Sequence, residues 1–412
     1  MDKQTVKNIL FLFGITGYII GLFLIDLARV TVSISMIVLC VLAISEWITA
    51  PRTFSINLAK PYLYLTAVFL VILPSGLYSE NQSYFFERAQ ILLPFLLLPL
   101  AFFSLPKLTT SQFQNFILLY IGLTFIVCLQ ALIYYILHQE EVNQLYLESK
   151  VMPTLVTHHP TFSMMIVMAI FSCYHLYVNC INFNSISLRR MVLIVGLFLF
   201  IFLHIYSVRS GLLAMYILIF WEIFQYIFFK KQFKKAILGL IFIVGIGSIT
   251  LLTSPTVRNK VINSTKDIEI IKNNGSANHH SMANRLISYK NAIQIASESS
   301  ILFGCGIGDI EDVNNQIFKS KYPDIDKKIL PHNQFLFFFA SIGLIGLILF
   351  MVSFYFPLRL KFLRNNQIIF TQYVLLSTFF MVEAPLETQL GVGFSLLFLL
   401  LPMQEIHSNL DA

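Results

Sequence analysis

Three side chains in this sequence combine into a recognisable chemical kit: Arg209, Arg285 and His332. Arg209 stands in Tyr206-Ser207-Val208-Arg209-Ser210-Gly211, between two long apolar runs. His332 stands in Pro331-His332-Asn333-Gln334, at the mouth of another. Arg285 lies between them, in an amphipathic segment that ends in Gly304-Cys305-Gly306-Ile307-Gly308. A planar guanidinium matches phosphate oxygens with paired hydrogen bonds. A neutral imidazole accepts a proton from an attacking hydroxyl near pH 7. Two arginines and a histidine therefore suit glycosyl transfer from a lipid diphosphate, with no metal or other cofactor needed to neutralise the leaving group.

Each residue also has a plainer reading. Arginine at membrane depth asks for an anionic partner or a wet cavity, but it also snorkels to the interface. A loop arginine is usually solvated, and a histidine before a helix often only caps it. What favours chemistry is that all three are expected at one membrane face. Metal-binding patterns are few there: no two histidines stand at the spacing that shares a helix face, and the one Asp-x-Asp pair is Asp324-Ile325-Asp326. Asp309, Glu311 and Asp312 lack the remaining ligands of a calcium loop and read as solvated acids.

The elements that must position these residues are membrane helices. Of the 412 residues, 57% are hydrophobic and only 12% charged, where a soluble fold carries about a quarter. The apolar runs are continuous, not alternating, so the expected fold is an all-α polytopic membrane protein and not a barrel. Hydropathy gives about twelve spans. They are Ile9–Leu27, Val30–Ile48, Tyr62–Tyr78, Ala89–Phe103, Phe113–Leu137, Thr161–Val178, Met191–Ser207, Leu212–Phe229, Ala236–Leu252, Gln334–Phe356, Ile368–Val382 and Gly391–Leu401. Ala89–Phe103 and Gly391–Leu401 are short enough to be re-entrant. Lys3 and Lys7 precede the first run without a small-residue cleavage site after it, so that run reads as a spanning helix and not a signal peptide.

The net charge of +7 does not point to nucleic acid. Most of the cations sit in short loops beside apolar runs, where they set topology. Lys3, Lys7, Arg52, Lys60, Lys107, Arg189, Arg190, Lys230, Lys231, Lys234, Lys235, Arg359, Lys361 and Arg364 all fall on one side. Arg29, Arg88 and Lys150 fall in the short loops of the other. The first side is then cytoplasmic, and the polar stretch 255–331 is one large extracytoplasmic, partly helical loop. It separates nine spans in 1–254 from three in 332–412. Within it Ser281–Ser300 reads as a helix, apolar along Leu286, Tyr289, Ile293 and Ala296, with Arg285 on the face of Tyr289 and Ala292. Four cysteines lie in or beside apolar runs and only Cys305 lies in the loop, so no internal disulfide is expected there.

Several motifs together resemble the O-antigen ligase and polymerase superfamily. They are Ser207-Val208-Arg209-Ser210-Gly211, the long loop with Arg285, Phe303-Gly304-Cys305-Gly306-Ile307-Gly308, and Pro331-His332-Asn333-Gln334-Phe335-Leu336. The last runs on into Ser341-Ile342-Gly343-Leu344-Ile345-Gly346, as the family's histidine helix does. The resemblance covers roughly Met191 to Phe356. It implies an inverting, metal-independent glycosyltransferase in the bacterial inner membrane, multi-pass, with its site facing the periplasm. Arg209 and Arg285 would bind the diphosphate of an undecaprenyl-linked glycan donor, and His332 would activate the acceptor.

The first expectation is a ligase onto lipid A–core; a polymerase joining two lipid-linked glycans shares the motifs. Membrane lipids are the other expected partner. A lipid-linked sugar transporter is the reading from another class; it would place charges near the bilayer midplane and show repeat symmetry. Arg88, His159 and Glu383 are additional candidates. Arg88 resembles an early family arginine, or forms an interfacial pair with Glu87. His159, in His158-His159-Pro160, binds acceptor or merely opens a helix. Glu383 is placed to pair with an arginine of the site.

Overall fold

The computed structural model describes residues 3–24, 28–49, 56–148, 150–179, 186–229, 231–253, 281–322 and 330–410. The expected loop positions 254–280 and 323–329 lie outside the described residues. So does Cys180.

The apolar runs fold as helices because a backbone in hydrocarbon must satisfy its own hydrogen bonds. In chain order these are α1 (Lys3–Gly21), α2 (Ala28–Thr49), α3 (Ile56–Ile72), α4 (Gln82–Ser104) and α5 (Thr110–Leu137). A short α6 (Gln139–Leu147) precedes α7 (His159–Asn179), α8 (Ile186–Tyr206), α9 (Arg209–Phe228) and α10 (Phe233–Thr253). Then come α11 (Ser281–Glu298), α12 (Ile310–Lys321), α13 (Gln334–Tyr355), the single turn α14 (Lys361–Arg364), α15 (Gln367–Val382) and α16 (Gln389–Leu410). Each expected span falls mainly on one of them. Among the described residues there is no strand, and nine helical spans are long and apolar enough to cross a membrane. Two shorter apolar helices, Thr5–Gly21 and Gln367–Val382, accompany them. The chain is an all-α, multi-pass membrane protein. The two runs read as short belong to helices of 23 and 22 residues, and at 1.5 Å per residue about 20 suffice to cross.

Two compact units divide the helices. One comprises Met1–Tyr120, Arg285–Tyr373 and Phe380–Ala412; the other Ile121–Asn284 and Val374–Phe379. In the first, α16 is the enclosed helix, 78% buried, and it packs on α2 and α4. In the second, α7 holds that place at 72%, packed on α8 and α9. The other spans bury half of their residues or fewer, as lipid-facing helices do.

One helix of the first unit is not continuous. At Gly343 the backbone of α13 turns to φ +67°, ψ −172°. The polar groups freed by the break are taken up by the return loop 301–306. Cys305 and Gly306 donate N–H to Ala340 and Ser341 carbonyls, and Leu344 and Ile345 donate to those of Ile301 and Leu302, at 2.9–3.2 Å. Only glycine fits here: a Cβ on Gly343 would lie 2.3 Å from the Leu302 backbone. The span expected at Gln334–Phe356 is thus two half-helices clasped by the loop.

The loop helix α11 ends at Glu298, near the expected Ser300, but its buried face differs from the expected one. Leu286 and Ile293 are exposed, whereas Ser288, Asn291, Ala292 and Ile295 are buried. Ala296 of the expected stripe is buried and Tyr289 is half-buried, so the buried side keeps part of that stripe and adds small and polar side chains to it.

Candidate active site

Glu383 is the hub of the first unit's polar cluster. It follows the last turn of α15 and lies in the linker to α16. Its Oε1 accepts from Arg285 Nη2 at 2.6 Å, and its Oε2 from His332 Nδ1 at 2.7 Å. A carboxylate only accepts, so Nδ1 carries the imidazole proton and Nε2 keeps its lone pair. Glu383 retains 10% of its side-chain surface and His332 retains 39%. The arrangement is a sheltered acid behind an accessible base, the pairing that fixes a histidine's tautomer and stabilises its protonated form. Burial pushes the Glu383 carboxyl up, but His332 (by hydrogen bond and charge) and then Arg285 outweigh it and hold it below its usual 4.5.

The first turn of α13 and the middle of α11 hold this geometry. Asn333 caps α13, its side chain accepting from Leu336 N–H and donating to the Met381 carbonyl at 3.0 Å. Tyr289 donates to the same carbonyl at 2.9 Å. The backbone N–H of His332 donates to Ser288 Oγ, whose hydroxyl donates to the Arg285 carbonyl. Arg285 and His332, 47 positions apart, are thus stitched together through one serine.

The same linker carries a second carboxylate, Glu387, which the sequence did not single out. It accepts from Gln334 Nε2 at 3.2 Å and faces Arg88 Nη1 at 3.5 Å. Arg88 also donates to the Glu387 carbonyl at 3.1 Å and to Glu87 at 2.7 Å, and stacks over Tyr84. The expected pair of Arg88 with Glu87 is present. Burial pushes the Glu387 carboxyl up to about 7, against the Arg88 charge and the hydrogen bonds from Gln334 and Arg88.

In the acidic cluster after the glycine turn, Asp309 is half-buried and bonded where a solvated acid was expected, whereas Asp312 is exposed. Asp309 accepts the backbone N–H groups of Glu80 and Asn81 at 3.0 and 2.8 Å, and Asp312 accepts from the Asn81 amide. These acids grip the chain at the N-terminus of α4, where carboxylates oppose the positive helix end. Among the described residues no three His, Cys, Asp or Glu side chains gather to hold a metal ion.

Arg209 and His159 belong to the second unit. Ser207, at φ +51°, breaks the chain from α8, so that Arg209 opens α9. His159 opens α7, its Nδ1 2.8 Å from the Tyr206 hydroxyl. The Tyr206 carbonyl in turn accepts from Tyr146 at 2.7 Å. His158 instead caps its own helix, Nδ1 accepting from Thr161 N–H at 3.3 Å.

A buried acid, an accessible histidine and a paired arginine meet at the ends of apolar spans of a multi-pass membrane protein, an arrangement able to take up a proton beside an anion. Residues 193–351, which include Arg209, Arg285 and His332, match the family described as O-Antigen ligase, in support of the resemblance to the O-antigen ligase and polymerase superfamily. Among curated proteins none matches the chain.

Proposed function

We propose that this protein is a membrane glycosyltransferase that moves a glycan from an undecaprenyl-diphosphate carrier to an acceptor hydroxyl, as a ligase onto lipid A–core. The observation that carries this reading is the His332–Glu383 pair. The acceptor oxygen attacks the anomeric carbon while its proton passes to His332 Nε2, and the bond to the diphosphate breaks with inversion. Glu383 stabilises the imidazolium that forms. Arg285, held at one nitrogen by Glu383, offers its guanidinium to the leaving diphosphate. Arg209 has the same role by family resemblance. In this reading the site faces the periplasm, as the charge balance of the loops requires, and no metal takes part.

Purified protein, given a lipid-linked glycan donor and a lipid A–core acceptor in chelator, should form the glycoconjugate and release the lipid diphosphate. Loss of transfer in chelator, restored by a divalent ion, would remove the metal-independent mechanism. Deletion in the native host separates ligase from polymerase. Unattached lipid-linked polymer marks a ligase; acceptors bearing single repeat units mark a polymerase and overturn the ligase reading.

A further inference from the structure

We propose that Gln334, Glu387 and Arg88 form a staple that positions the His332–Glu383 pair, so that Arg88 is a positioning residue and not a donor-binding one. The inference rests on the reading of His332 as the base.

His332 and Glu383 come from different parts of the chain, and a hydrogen bond of 2.7 Å between them survives only if both backbones are held. Gln334, two residues after His332 and fully buried, supplies that hold with both ends of its amide. Its Oε1 accepts from Leu386 N–H at 2.9 Å, its Nε2 donates to Glu387, and its own backbone N–H donates to the Glu383 carbonyl at 3.1 Å. The linker 383–387 is therefore tied at three points to the first residue of α13. Arg88 fixes the far end of the linker to α4 through the Glu387 carbonyl and carboxylate. Its guanidinium is occupied by Glu87, Glu387 and the Tyr84 ring, and its side chain keeps only 12% of its surface. A donor phosphate would have to displace these contacts. Among the described residues, Arg285 is held through one nitrogen by one carboxylate oxygen.

Three variants, Gln334→Ala, Glu387→Ala and Arg88→Met, test the staple in the full-length protein in detergent, with monodispersity checked first. Two readouts are used: transfer kinetics, and the rate at which diethyl pyrocarbonate modifies His332, followed by mass spectrometry. Misplacing a reacting group by about 1 Å can cost about 10²-fold, so loss of an outer contact is expected to matter by about 10–100-fold. Each variant should lower kcat within that range, leave the donor KM within about twofold, and shift the His332 modification rate at least about twofold. The Glu387→Ala/Arg88→Met double variant should lose little more than either alone, since contacts in one network are not additive. Glu387→Gln, which keeps an acceptor for Gln334, should recover most of the loss and guards against misfolding of the alanine variant. An Arg88→Met protein whose donor KM rises as in Arg285→Ala would overturn the assignment, because Arg88 would then touch donor. Unchanged kcat and His332 reactivity in all three would overturn it equally. If His332→Ala kept full activity the base reading would fail by itself, whereas the modification rates would still report whether the staple sets the histidine's surroundings.

Discussion

Glu383 and Glu387 share one short linker, each faces an arginine, and their carboxyls shift in opposite directions. Glu383 has two close donors, Arg285 and His332, at 2.6 and 2.7 Å, and is held below its usual value. Glu387 has Arg88 at 3.5 Å and a neutral amide, and burial lifts it to about 7. An opposite charge within hydrogen-bond reach outweighs desolvation; a looser one does not. In the proposed reading the first acid, its carboxyl held low, serves a base. The second stands at the balance point and serves architecture.

The hardest test of that division is at the base itself. His332→Ala should cut turnover by about 10²–10⁴-fold, the usual weight of general base catalysis, with donor binding largely kept. Measuring transfer per mole of folded protein checks it; full specific activity would end the catalytic role of this residue. Glu383→Gln should follow at roughly 10²-fold or more, because an amide can turn its nitrogen to Nδ1 and select the wrong tautomer. A Glu383→Gln enzyme with wild-type kcat would erase the distinction between the two acids.

Arg285→Ala comes next. It removes charge near the leaving group, so donor KM should rise and turnover should fall by about 10²–10³-fold. Arg285→Lys should recover part of this, keeping the charge but losing the two-pronged geometry. Steady-state kinetics against donor concentration give both numbers, and an unchanged KM would assign Arg285 to holding Glu383 only.

Much of this was legible in the chain. The spans followed from apolar run length, and Arg285 and His332 stood out because charged and titratable groups near such runs are scarce. Glu383 was legible as an acid at a span's end with an arginine to meet. Its bond to His332 was not, because 51 residues separate them and only the fold closes that distance. Gln334 and Glu387 carried no signal: a glutamine at a helix start and an acid in a linker are ordinary until their amide and carboxylate are seen to meet. The face of α11 was only partly legible: periodicity finds the apolar stripe and Ala296 is buried, but a helix that also buries Ser288 and Asn291 leaves Leu286 and Ile293 exposed. Asp309 looked solvated because its partners, the N–H groups of Glu80 and Asn81, lie in a turn more than two hundred residues earlier.

The smallest effect is thermodynamic and bears on Glu387 alone. Its folded carboxyl titrates near 7 against an ordinary 4.5, so the folded protein binds its proton more tightly than the unfolded chain. Stability from this source is complete below about pH 4.5, declines as pH rises, and is gone above about 7. At 1.36 kcal/mol per pKa unit the full span is roughly 3 kcal/mol, an upper bound that relaxation of the linker lowers. Glu383 has the reverse sign: held low, it stabilises above its ordinary value and loses that contribution as pH falls through its folded one. Between pH 5 and 8 only Glu387 should therefore matter of these two. Thermal melts of the wild type and Glu387→Gln across that window should diverge, the variant gaining relative stability as pH rises because its neutral amide has no charge to bury. Melting curves that stay parallel from pH 5 to 8 would show that Glu387 is already ionised or fully solvated, and the contrast between the two acids would collapse.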